Sequence, residues 1–466
     1  MTKMTTVSAV EHWSMLLGRV LLAGMCLAAC SDDSASSDGA DSGADHGGTG
    51  GTGGGGSGGD SGAGGAGGAS GSGGVGGTSG SGGSGGTGGT DSGVDASLED
   101  DAGSPDAGGD AGDAGPVACE AVVPTTWDGT AFDTNAAVEL GLRTRIGALN
   151  TRMQSAEVEV PPATTVTDFQ TLFVDGDPSP RDAMTASFRS VVDHVFDRFV
   201  LAVGSTLDPS VSWNPTPASN DVGGRLCGPS GTPTSGCWLM TAGGVDLRQI
   251  FSKGVHGAAL YHQARLLAAG AVTPAVVDRI GALFGANSAL DINGTNSYAA
   301  DYAKQMGFYA TMRGHFIAAK AYAQEGASCA DELDQELAAL FATWERSQFA
   351  RFVYYANRAL VLFSSGTATE AQNAEALHWL GEGVGLVWGF EGLPSDTRIV
   401  SDAQIDQLRM LMKLTSIATA SVYEFRVGNI GDLEDIEAAF DLVQAVYGFT
   451  DAQVNGQFRV HPTTPG

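Results

Sequence analysis

Apolar residues recur at helical spacing through most of the second half of this chain. Between Asp182 and Gly204, Phe188, Val191, Val192, Val195, Phe196 and Phe199 fall at steps of three and four, with Asp193, Asp197 and Arg198 on the other side. The pattern predicts an amphipathic helix. Asp246 to Ala269 reads the same way through Leu247, Ile250, Phe251, Ala258, Leu260 and Leu266, and stops at Gly270. Thr273-Pro274 opens a short helix, with proline at the first turn where its missing N–H is not needed. Long alanine-rich helices are predicted over Tyr298–Gln324 and Asp331–Ser364, and further ones over Thr369–Phe390, Asp402–Phe425 and Asp432–Tyr447. Asp402 and Asp432 are expected as N-caps or first-turn acids. No run alternates as a strand should. Ser205–Gly243 differs in texture, being rich in Pro, Gly, Ser and Asn, with room for a short hairpin.

The first quarter of the chain has no such pattern. From Ser31 to Gly115, 35 residues are glycine and 14 are Asp or Glu, with no Lys or Arg. A segment with so little to bury does not offset its conformational entropy, so a disordered tether is expected, with a reach of roughly 50 Å. Before it, Lys3 and Arg19 flank a short apolar core, Val20 to Leu27, followed by Ala28-Ala29-Cys30. That core is much shorter than the roughly 20 residues of a membrane span. Leu27-Ala28-Ala29-Cys30 looks like a bacterial lipobox. The expected organisation is a signal peptide over residues 1–29, a lipidated Cys30 with a Gly/Ser/Asp linker over 30–117, and a helical domain over 118–466. Cys30 would hold the protein on a cell-envelope membrane, on the periplasmic or the surface-exposed face.

Of the net charge of −29, the leader carries +1 and the tether −14, which leaves −16 on the rest. An acidic domain without a basic run argues against nucleic acid and against docking on anionic lipid. Cys119, Cys227, Cys237 and Cys329 remain after the leader and the lipid acceptor are set aside. Cys227 and Cys237 bracket a Gly/Pro/Ser loop and are expected to pair, leaving Cys119 for Cys329.

The usual nucleophile and zinc-protease motifs are missing. The candidate chemistry is histidine on helices. His256 lies in Gly254-Val255-His256-Gly257-Ala258-Ala259, among small neighbours. His262 is six residues on and points elsewhere. His315 sits near Arg313 on another long helix. His378 and Glu382, at i and i+4, share a face and can offer an imidazole and a carboxylate to a metal or simply to each other. Glycines in Gly254-x-x-Gly257 and Gly381-x-Gly383-x-Gly385 cost helix stability and point to close helix packing or to room for a ligand.

Asp246–Ala258 and Glu375–Gly385 together resemble two signature helices of imelysin-like bacterial lipoproteins. The resemblance implies an all-α, two-bundle fold on a lipid-anchored envelope protein and a link to iron acquisition through a Gly-x-His-x-x-Glu metal motif. Here that motif reads Gly254-Val255-His256 with Ala259 in place of the glutamate. Glu382 can replace the missing ligand if the two helices face each other. The expected function is therefore binding of iron or another divalent metal, without catalysis, by His256, His378 and Glu382. Two alternatives stay open: an envelope protein-interaction module that uses Ser205–Gly243, and a hydrolase with an unrecognised site.

Overall fold

The fold is built from helices that each bury one apolar stripe, joined by one short hairpin. A computed structural model describes residues 118–158, 163–207, 221–232, 235–417, 419–422, 425 and 430–460. The leader, Cys30 and the glycine-rich tether lie outside the described residues. In chain order the main helices are α1 (Phe132–Asn135), α2 (Ala137–Ala156), α3 (Val166–Phe173), α4 (Pro180–Ala183) and α5 (Ala186–Ala202). After the hairpin come α6 (Leu247–Val255), a π-helical turn (His256–Tyr261) and α7 (His262–Ala268). The rest are α8 (Pro274–Phe284), α9 (Tyr298–Gln305), α10 (Tyr309–Glu325), α11 (Ala330–Phe363), α12 (Glu370–Gly389), α13 (Asp402–Leu411) and α14 (Ile430–Tyr447). The all-α class is as the periodicity predicts.

Differences from the expected boundaries have local causes. The helix expected over Tyr298–Gln324 is two, because Gly307 adopts a positive φ of 83° between α9 and α10. Lys413, at φ 58°, ends α13 well before Phe425. Ser401, not Asp402, is the N-cap there: its side chain accepts from Gln404 N–H, and Asp402 is a first-turn acid. Asp432 likewise lies in the first turn of α14. α2 was absent from the expected set, although Glu139, Leu142, Ile146, Leu149, Met153 and Ala156 alternate by three and four along its buried face.

One apolar cluster runs from Leu142 to Phe458, so the two expected sub-bundles share a core. Part of it is an aromatic knot in which Phe169 and Phe173 of α3 meet Phe196 and Phe199 of α5 at centroid distances of 5.3–5.4 Å. Both expected disulfides are present, Cys119–Cys329 and Cys227–Cys237. The second joins facing residues of β1 (Gly224–Thr232) and β2 (Ser235–Met240), which pair antiparallel. The hairpin buries Leu226, Leu239 and Met240 and packs β1 against α12. No described helix is long and apolar enough to cross a membrane.

α6 and its π-turn cross α12 at close range. Glycine makes it possible. A Cβ on Gly381 would lie 2.8 Å from the Asp246 Cβ, one on Gly385 2.6 Å from the Gln249 carbonyl oxygen, and one on Gly389 2.3 Å from the Gly254 carbonyl oxygen. Close packing is thus what the clustered glycines provide.

Candidate functional site

Three helices carry polar residues on faces that the fold buries. On α6 and the turn after it, Asp246, Gln249, Lys253 and His256 recur at steps of three and four and are all under one-tenth exposed. On α11, Gln348, Arg351 and Tyr355 do the same, with Tyr354 beside them. On α12, His378 and Glu382 are one turn apart. Tyr302 of α9 completes the set. Burial of so many polar groups is costly unless each is paired, so the pairing decides what the cluster is for.

Tyr302 is its hub. Lys253 Nζ donates to the Tyr302 hydroxyl at 2.7 Å, and Tyr355 donates to the same oxygen at 3.2 Å. The His256 ring stacks on Tyr302 at 4.9 Å. The Arg351 guanidinium lies 5.2 Å from the Tyr302 ring and 4.3 Å from each of the Tyr354 and Tyr355 rings. Lys253 Nζ forms a buried ion pair with Glu382 Oε1 at 3.1 Å. Burial pushes the Glu382 carboxyl up, but Lys253, His378 and Arg351 together outweigh it and hold the carboxyl below its usual range. Burial, with the Lys253 charge adding to it, holds His256 well below the ordinary imidazole range. His256 is therefore neutral at pH 7.

Several buried polar atoms here have no hydrogen-bond partner: Arg351 Nε and Nη1, Glu382 Oε2, His256 Nδ1, and both Nε2 and Oε1 of Gln348. Arg351 also has no carboxylate within ion-pair distance among the described residues. An orphaned buried donor or acceptor costs about 1–3 kcal/mol, more when charged. Six of them, on residues of three neighbouring helices, is a concentration that helix packing alone does not require.

A second network flanks the first, on the hairpin side. Asp246 caps α6 by accepting from Gln249 N–H at 3.1 Å, and its Oδ2 lies 2.9 Å from His378 Nδ1. The His378 ring stacks on Trp238 of β2 at 4.3 Å. Arg248 pairs with Glu157, just beyond α2, at 3.0 Å. Burial, only partly offset by Arg248, pushes the Glu157 carboxyl up to about 7.

The residues expected to bind metal are placed as follows. His256 and Glu382 both border Lys253, while His378 is turned to Asp246 and Trp238. Among the described residues, the only group of three or more His, Cys, Asp or Glu with ligand atoms mutually within 4.8 Å is Cys119, Cys329 and Glu332, and its cysteines form a disulfide. His256, His378 and Glu382 do not converge as a donor set. The two cations next to Glu382 also suit a divalent ion poorly. The residues present do not fit a metal. His262 faces Ala183 O at 3.1 Å, and His315 Nδ1 lies 2.6 Å from Glu336 Oε2, so both are held elsewhere.

Lys253, Tyr302, Gln348, Arg351, Tyr354 and Tyr355 were not singled out from the sequence. The available signal was a charged or amide group inside an apolar run, as in Phe349-Ala350-Arg351-Phe352-Val353. Compared with known proteins, the chain matches no family model, no curated protein and no solved structure. The imelysin-like resemblance therefore rests on the two glycine-rich helices alone.

Proposed function

We propose that the helical domain is a solute-binding module, held in a bacterial cell envelope by lipid on Cys30 and a long glycine-rich tether. The observation that carries the binding reading is the group of unpartnered buried polar atoms on His256, Gln348, Arg351 and Glu382. A binding site retains such atoms because the ligand completes their hydrogen bonds and does so only when bound. Stability alone favours apolar residues of similar size at such positions. Leu27-Ala28-Ala29-Cys30 and the apolar run before it support the anchor.

Residues 208–220 and 233–234 of Ser205–Gly243 lie outside the described residues; the described hairpin gives a protein-docking role less support, because its Leu226, Leu239 and Met240 are spent on the core. Native mass spectrometry of the full chain purified from its producing cell tests the reading. A non-covalent adduct of small mass is expected, lost on denaturation and lost in a folded Lys253→Met/Tyr302→Phe variant. Wild-type protein with the same mass under native and denaturing conditions would overturn it. Mass analysis of the same protein tests the anchor: Cys30→Ala is expected to lack the lipid mass and to leave the membrane fraction.

A further inference from the structure

The ligand class follows from the charge balance within the cluster, and the inference rests on the binding reading just given. Within reach of Tyr302 and Tyr355 are two permanent cations, Lys253 and Arg351, and one carboxylate, Glu382. His256 adds no charge, because its burial keeps the ring neutral. Lys253 and Glu382 answer each other at 3.1 Å. Arg351 is left over. It is 6% exposed, has three tyrosine rings around it, and has two unpartnered N–H-bearing atoms, Nε and Nη1. Cation–π contact with tyrosine recovers only part of the cost of desolvating a guanidinium. Such a group calls for an oxyanion, and a guanidinium suits planar carboxylate geometry well.

The remaining orphans describe the other end of the same ligand. Glu382 Oε2 is an anionic acceptor without a donor. The Gln348 amide and His256 Nδ1 can each accept or donate. A plain fatty carboxylate would leave Glu382 Oε2 unanswered. A carboxylate whose carbon chain also bears a hydroxyl or ammonium group satisfies both charged orphans. We propose that the cluster binds a small hydroxy- or aminocarboxylate, with its carboxylate on Arg351 and its donor group on Glu382 Oε2.

Isothermal titration calorimetry at pH 7 on the full chain, dialysed until native mass spectrometry shows no adduct, tests this. The probes are glycolate, L-lactate, L-malate, glycine, propionate, inorganic phosphate and ethylammonium. At least one hydroxy- or aminocarboxylate is expected to bind, and to bind about tenfold or more tightly than propionate. Arg351→Gln is expected to weaken it by about 30-fold or more, the loss typical of one partner of a buried charged pair. Glu382→Gln is expected to keep carboxylate binding while bringing the best probe and propionate to within about threefold. That second variant decides the matter should Arg351→Gln fail to fold. Phosphate or ethylammonium binding without any carboxylate would overturn the carboxylate assignment, as would heat from none of the probes. The broader binding reading falls separately, only if native mass spectrometry also finds no bound small molecule.

Discussion

His256 stacks on Tyr302 beside the Lys253 ammonium, so protonating it would bury a second cation next to the first. Its folded pKa is depressed, whereas the unfolded value stays near 6.5. The unfolded chain therefore binds the proton first as pH falls. His256 costs no stability above pH 6.5 and takes stability away below it, by up to about 2 kcal/mol at pH 5. Urea unfolding at pH 7 and pH 5 is expected to show wild type losing roughly that much stability on acidification relative to His256→Phe. An unchanged gap would mean that the imidazole is already charged or solvated. Glu157 has the opposite sign. Its folded pKa of about 7 exceeds the unfolded 4.5, so the folded protein holds the proton more tightly. Stability from this group is greatest below pH 4.5 and is lost as pH rises through 7. Carboxyl carbon NMR is expected to show one glutamate titrating near neutrality, absent in Glu157→Gln; titration of every glutamate below pH 5 would contradict this.

At the scale of elements, the α6–α12 crossing makes a sharp distinction between neighbouring glycines. Gly385 faces the Gln249 carbonyl, and a methyl group there would sit 2.6 Å from it and 2.9 Å from the Lys253 Cβ. Gly383 faces Phe352 and Tyr355 at 3.4–3.5 Å, an ordinary contact. Gly385→Ala is expected to cost about 1–3 kcal/mol by forcing the helices apart. Gly383→Ala is expected to be near neutral or stabilising, since alanine is the better helix former. Thermal melts of the two variants check this, and equal losses would contradict the packing described. The helices were legible because each buries a stripe at three- and four-residue spacing, as Phe188 to Phe199 show. Their ends were less so: Gly307 and Lys413 break helices by backbone conformation, and neither changes the hydrophobic pattern. The site was legible in part. The glycine spacing and His256, His378 and Glu382 pointed to the two helices that cross beside the buried polar cluster. Which groups touch was not readable, because the partners Tyr302 and Arg351 come from elements about fifty and a hundred residues further on than α6. Histidine and carboxylate alone suggested a metal; the lysine and arginine that join them reverse the charge of the place.

At the scale of the molecule, the Cys119–Cys329 bond ties the start of the described chain to the junction of α10 and α11, 210 residues away in sequence. Loop closure over that length restricts the unfolded chain strongly, and its loss is expected to cost about 2–5 kcal/mol. Cys119→Ser/Cys329→Ser should melt well below wild type, with ligand affinity at the folded plateau unchanged, because neither cysteine borders the Tyr302 cluster. A change in affinity would mean that the bond also shapes the site. The central claim is that Arg351 and Glu382 are completed by a bound solute and not by the chain. The most direct measurement is a crystal structure of the purified protein at a resolution that shows small-molecule density. Non-protein density with an oxygen about 2.7–3.2 Å from Arg351 Nε or Nη1, and a donor equally near Glu382 Oε2, is the expected result. Arg351 paired to a carboxylate of the chain itself, with Glu382 Oε2 also satisfied from within, would contradict it.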